Sequence, residues 1–114
     1  MKRYLSCIAW VGFVFSGSLY AHAHLQKSAP ADNSTLSSAP KTLSLEFSEG
    51  IQLTALTLQK GDGKAQDLGP LPKEAGKQAT LALPALDAGN YIVKWRGVSA
   101  DKHIASGKIT FKVP

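Results

Sequence analysis

The sequence predicts an all-β protein: an Ig-like or Greek-key antiparallel β-sandwich of about seven strands that follows an N-terminal signal peptide. Apolar and polar residues alternate with a period of two, turn residues separate the alternating stretches, and no segment shows the period of an amphipathic helix. The 114 residues, 44% hydrophobic and 18% charged, leave room for one domain.

The first predicted element is a secretory signal peptide over residues 1–23. Lys2 and Arg3 precede an uncharged apolar stretch that is shorter than the roughly 20 residues of a membrane span. Ala21-His22-Ala23 then supplies an A-x-A cleavage site, so we expect a secreted domain over 24–114 that begins at His24 and is not inserted in a membrane.

Cleavage after Ala21 is the alternative, and it would leave His22-Ala23-His24 at the front. A free amine with a histidine at the third position binds Cu(II) without help from the rest of the chain. The A-x-A rule favours cleavage after Ala23, because Leu19 is bulky for the −3 position of the alternative site.

Five strands of the sandwich follow from alternation alone. The second of them changes phase near its middle, and Pro84 stops the third. A tight turn is predicted at Gly61–Lys64 and a loop over 68–76, which is rich in proline and glycine. The predicted strands are 42–47, 51–58, 80–83, 90–99 and 108–113.

The entry to the fourth of these strands has the pattern of a tyrosine corner. Leu86, Gly89 and Tyr91 form an L-x-x-G-x-Y run, in which the phenol hydrogen-bonds back to nearby backbone. An exposed turn followed by an ordinary strand tyrosine is the simpler interpretation. Trp95 shares the inward face with Tyr91, and we expect it to pack in the core.

Two histidines remain after cleavage, and they point to a metal site. His24 would offer an α-amine as well as an imidazole, while Asp101 and His103, two residues apart, would place a carboxylate beside a second imidazole. Nitrogen and oxygen donors without sulfur suit tetragonal Cu(II), with zinc ranked second. The only Cys and the only Met lie in residues 1–23, and the scattered lysines argue against nucleic-acid binding.

The ordered motifs of residues 24–114 resemble the CopC family of periplasmic copper-resistance proteins. The resemblance implies a monomeric, non-enzymatic β-sandwich in the periplasm that binds one Cu(II) through His24, Asp101 and His103. It also implies Glu49 as an extra ligand or a hydrogen-bond partner of a ligand, with a solvated strand-end carboxylate as the alternative. The motifs are His24-Leu25, Ser28-Ala29-Pro30, Phe47-Ser48-Glu49, Gly89-Asn90-Tyr91, the run from Trp95 to His103, and Ser106-Gly107.

The resemblance further implies copper sequestration, or transfer to an inner-membrane transporter of the CopD type. Two departures from the family pattern bear on this. Lys102 stands where many members have glycine, and the predicted mature chain has no Met, so no Met-rich Cu(I) site is expected.

Two other functions are compatible with these residues. A histidine-brace copper monooxygenase uses the same amine and imidazoles, but Asp101 would occupy a position that oxygen needs. An Ig-like accessory module would bind no metal at all.

Overall fold

A computed structural model describes residues 23–114, which form seven strands and no helix. The predicted signal peptide, apart from Ala23, lies outside the described residues. Within the described part, no helix is long and apolar enough to cross a membrane. The predicted all-β class with about seven strands is confirmed. The strands are β1 (Leu25–Ala29), β2 (Ser34–Thr35), β3 (Thr42–Lys60), β4 (Ala65–Asp67), β5 (Gly76–Ala82), β6 (Gly89–Ser99) and β7 (Ile104–Val113).

All seven strands belong to one sheet, which curls into the two layers of the sandwich, and β3 is the strand that the layers share. Its first half pairs with β1 on one edge and β5 on the other, and its second half pairs with β6 and β4. The strands predicted at 42–47 and 51–58 are therefore one strand of 19 residues. The pairing register with β6 shifts between Leu53 and Ala55, at the predicted change of phase, and the register with β5 shifts between Glu46 and Ile51. Such bulges bend a strand, which lets β3 pass from one layer to the other.

The core lies between the layers, where the alternation of each strand directs its apolar side chains inward. Phe47 from the first half of β3 meets Trp95 of β6 edge to face, with ring centroids 5.0 Å apart. Trp95 is 4% exposed, so its predicted core position is confirmed. The largest fully buried side chains are Phe47, Leu43, Leu45, Leu56, Ile109 and Val93.

The tyrosine corner is present. The Tyr91 hydroxyl donates a hydrogen bond of 2.7 Å to the backbone carbonyl of Asp87, and its ring stacks on Phe111 at 5.5 Å between centroids. The predicted turn after β3 also forms: Gly61 adopts a φ of 52° and its N–H donates to the carbonyl of Asn90 at 2.8 Å. Both features hold the end of the sandwich opposite the β6–β7 hairpin.

The segment that includes β2 bonds to the edge of β7 that faces away from β6. It does so only along the C-terminal part of β7. The Asp32 carboxylate accepts a 2.8 Å hydrogen bond from the Thr110 N–H, and the Asn33 N–H donates to the Thr110 carbonyl at 2.7 Å. β2 then pairs parallel with β7 at Phe111. The strand order β1-β3-β6-β7-β2 leaves β1 and the first half of β7 facing each other without pairing.

Candidate metal centre

The β6–β7 hairpin carries two of the predicted site residues. Ser99 closes it with two backbone hydrogen bonds of 2.9 Å: its carbonyl accepts from the Lys102 N–H, and its N–H donates to the His103 carbonyl. The loop between Ser99 and His103 has three residues. The last of them, Lys102, has a φ of 72°. A tight turn followed by one left-handed residue is a common three-residue hairpin loop, with glycine usual at the left-handed position. The Lys102 departure therefore falls where the backbone favours glycine.

Asp101 and His103 contact each other in this hairpin. Asp101 Oδ2 lies 2.8 Å from His103 Nδ1. The Ser99 hydroxyl donates a short hydrogen bond to Asp101 Oδ1, and the His103 N–H approaches the same oxygen at 3.4 Å. The two side chains meet because the turn brings them together, and not because they share one face of an extended strand.

The carboxyl group of Asp101 is held in its ionised form. Its pKa is lowered to about 2, first by the hydrogen bond from the Ser99 hydroxyl and then by the hydrogen bond from His103. Both side chains are accessible, with 43% of Asp101 and 53% of His103 exposed. The hairpin thus presents an ionised carboxylate beside an imidazole at the surface.

His24 is fixed by the bulged region of β3. Its N–H donates to the Ser48 hydroxyl and its carbonyl accepts from the Ser48 N–H, both at 2.9 Å. Glu49 follows directly and is half-buried. Two residues later Ile51 pairs with Ser99, the residue that closes the hairpin. The strand register therefore places all four predicted site residues at one end of the sandwich.

The structure brings together only part of the predicted ligand set. In residues 23–114, no three His, Cys, Asp or Glu side chains converge closely enough to hold a metal ion. Asp101 and His103 are in contact, whereas His24 and Glu49 lie at the same end of the fold without joining that cluster. The His24 nitrogen is a backbone amide in this chain, so the α-amine that the prediction requires is not formed.

Sequence reasoning assigned no role to the two serines that organise this end. Ser48 holds the backbone of His24, and Ser99 holds the carboxylate of Asp101. Ser99 could have been singled out, because the alternation of β6 places it on the inward face that Tyr91 and Trp95 share. It is 4% exposed, and a polar side chain in a core position requires a hydrogen-bond partner.

Known proteins share both the sequence and the fold. A CopC domain family model matches residues 25–114. Protein YobA of Escherichia coli K12 is 36% identical over 97% of this chain and 93% of its own length. Copper resistance protein C of Pseudomonas syringae pv. tomato is 35% identical over 90% of this chain and 88% of its own.

Among solved structures, CopC from Methylosinus trichosporium OB3b superposes with a TM-score of 0.69 and 28% identity. That match covers 81% of this chain and 93% of that one. Together with the family match over nearly all of the described residues, the likeness in sequence and fold establishes that this chain belongs to the CopC family of copper-resistance proteins.

Proposed function

We propose that the chain, once cleaved before His24, is a periplasmic protein that binds one Cu(II) for copper resistance or homeostasis. The observation that carries the proposal is the contact between Asp101 and His103 at the end of the sandwich that also holds His24. An amine, two imidazoles and a carboxylate provide the nitrogen and oxygen donors that suit a tetragonal Cu(II) ion.

Cleavage would turn the backbone nitrogen of His24 into a free amine, which can bind a metal ion. This nitrogen already lies 2.9 Å from the Ser48 hydroxyl, and the Ser48 N–H holds the His24 carbonyl. The backbone that would chelate copper through amine and imidazole is therefore fixed before metal binds. Glu49, the next residue along β3, would be a further ligand or would hydrogen-bond to one.

Asp101 can serve the metal in two ways. It contacts His103 through Nδ1, so copper bound at Nε2 would leave the carboxylate as the group that orients the imidazole. Alternatively, the carboxylate turns and binds copper itself. In both cases Asp101 is ionised at neutral pH, as an ordinary aspartate would be, and its negative charge favours a bound cation.

The proposed role is to bind copper rather than to catalyse a reaction. The relative named copper resistance protein C supports a role in copper resistance, which we assign to sequestration of the bound ion. Transfer of the bound Cu(II) to an inner-membrane transporter of the CopD type is the alternative use of the same site. No Cu(I) site is proposed, because residues 24–114 contain no Met.

A Cu(II) titration followed by EPR tests the proposal, on protein whose N-terminus is confirmed as His24 by intact mass. We expect one tightly bound Cu(II) with a nitrogen-rich tetragonal spectrum, weakened by Asp101→Ala and by His103→Ala. Asp62→Ala, which removes a carboxylate from the turn at the opposite end, should leave binding unchanged. Retaining Ala23 should also weaken binding because it blocks the α-amine.

Absence of stoichiometric binding would refute the proposal. Binding that is indifferent to both hairpin substitutions would refute the three-residue site. If such indifferent binding occurs only in protein that begins at His22, copper is held by His22-Ala23-His24 alone and the fold has no part in it.

A further inference from the structure

A groove separates β1 from β7 beside the candidate metal centre. His24–Ser28 line one wall, Ile104–Lys108 line the other, and the groove has a volume of about 720 Å³. In the described chain β1 pairs with β3, and β7 pairs with β6 and β2. Two strand edges thus face each other across the groove, and neither has a strand partner there.

The β7 wall presents backbone hydrogen-bonding groups to the groove. Farther along this edge, the N–H and carbonyl of Thr110 bond to Asp32 and Asn33, and the carbonyl of Lys112 bonds to Leu36. Outward-facing groups recur at every second residue of an antiparallel strand. The same edge therefore presents the N–H and carbonyl of Ile104, Ser106 and Lys108, and within residues 23–114 no strand covers them.

Positive charge is concentrated along the outer face of this edge. Lys108 of β7 lies directly opposite Lys94 of β6, and Arg96 is two residues farther along β6 on the same face. Lys27 adds a fourth cation from the β1 wall of the groove. Like charges directly opposite each other destabilise a sheet, and these four side chains form no salt bridge with any described residue.

The inner side of the groove is mostly apolar, although the indole N–H of Trp95 has no hydrogen-bond partner among the described residues. Trp95 and Gly107 form its floor, and they are direct cross-strand partners. A β-carbon built on Gly107 would lie 2.8 Å from the indole nitrogen of Trp95, so the two pack closely. On the outer face, which Ile104 shares with Lys108, Ile104 is 61% exposed at the end nearest His103.

We propose that the edge of β7 over Ile104–Lys108 binds an extended segment of a partner polypeptide as an added strand. The segment has acidic side chains alternating with small apolar ones. Its backbone pairs with the outward groups of β7, its acidic side chains lie beside Lys108 and Lys94 on the outer face, and its apolar side chains cover Trp95. This inference does not rest on copper binding, because the proposed contacts are made by β7, Lys94 and Trp95, and His24 of the opposite wall takes no part in them.

The test uses metal-free protein that begins at His24 and a short synthetic peptide of alternating glutamate and valine with blocked ends. Trp95, the one tryptophan of residues 24–114, reports binding by fluorescence, and amide NMR locates it. We expect saturable binding that protects the amides of Ile104, Ser106 and Lys108 from exchange. A peptide of the same composition with its glutamates grouped, and an alternating lysine–valine peptide, should bind at least about tenfold more weakly.

Two variants test separately the contribution of backbone pairing along β7 and the contribution of positive charge to peptide binding. Ser106→Pro removes an N–H that faces the groove while sparing the bonds to β6, and we expect it to weaken binding at least about tenfold. Its thermal unfolding confirms that it folds. Lys108→Glu should weaken binding about fivefold, whereas Lys64→Glu, the same charge change at the opposite end, should have no effect.

Four results would overturn the proposal. One is no saturable binding of the alternating peptide up to millimolar concentration. Another is equal binding of the three peptides, or full binding by the folded Ser106→Pro variant. The last is concentration-dependent dimerisation abolished by Ser106→Pro in sedimentation experiments, which would assign the edge to a second copy of this chain.

Discussion

Lys102 occupies the left-handed backbone region, with a φ of 72°, at the last position of the hairpin loop that carries Asp101. A β-carbon in this region costs about 1–2 kcal/mol. Glycine avoids that cost but loses about 0.5–1 kcal/mol more backbone entropy on folding. We therefore expect Lys102→Gly to raise the free energy of unfolding by about 0.5–1 kcal/mol.

Urea unfolding of metal-free residues 24–114, followed by the fluorescence of Trp95, measures this change. For a denaturant slope near 2 kcal/mol per molar, typical of small domains, the midpoint should rise by about 0.3–0.5 M. Lys102→Ala is the matched control, because it removes the same charge and side chain but keeps the β-carbon. Its midpoint should stay close to that of the parent protein, as for most exposed substitutions.

The expected backbone effect is refuted if Lys102→Gly and Lys102→Ala unfold at the same urea midpoint, or if Lys102→Gly unfolds at the lower midpoint. A rise in both variants would show that the lysine charge, rather than the backbone conformation, limits stability. The same two variants also measure the effect of the lysine charge on Cu(II) affinity, since both remove one positive charge beside Asp101. If that charge opposes copper, the two should gain Cu(II) affinity equally.

Three further substitutions test the fold and the site. Asp101 has its pKa lowered to about 2 in the folded protein, below its value of about 3.9 in an unfolded chain, so its stabilisation is present above pH 4 and lost as pH falls toward 2. The difference in melting temperature between the parent protein and Asp101→Asn should therefore shrink between pH 5 and pH 2, and a constant difference would contradict the lowered pKa. Tyr91→Phe removes the 2.7 Å corner hydrogen bond and should cost about 1 kcal/mol, seen as a melting temperature lower by about 4–8 °C. Gly97→Ala would place a β-carbon 2.9 Å from the backbone oxygen of Gln52 and should cost about 1–3 kcal/mol in urea unfolding, whereas Gly50→Ala, with no atom nearer than 4.0 Å, should cost nothing.

The fold was predictable from the sequence where one face of a strand is buried and the other solvated. That alternation located most of β3, β6 and the second half of β7, as well as the buried Trp95. It failed for β1, β2 and β4, because strands of five residues or fewer with mostly exposed side chains show no contrast between faces. The single long β3 was also missed, since a bulge near Ser48 interrupts the alternation without ending the strand.

The candidate site was predictable in its residues but not in its construction. The contact of Asp101 with His103 depends on the backbone path of the hairpin loop, in which Lys102 adopts a conformation that lysine rarely takes. The support from Ser48 depends on a contact between segments far apart in sequence, whereas the support from Ser99 lies within the hairpin itself. Alternation reports which face of a strand is buried, so it contains neither the path of a loop nor the partner of a strand.

The length of β3 has a consequence for how the domain opens. Because this strand is hydrogen-bonded to β1, β4, β5 and β6, neither layer can separate while the other stays intact. The central amides of β3 should then exchange with solvent only through global unfolding, at one common free energy. Copper bound at one end of the sandwich would raise the free energy of global unfolding. It would therefore slow the exchange of amides at the other end, without any change in the folded structure between the two ends.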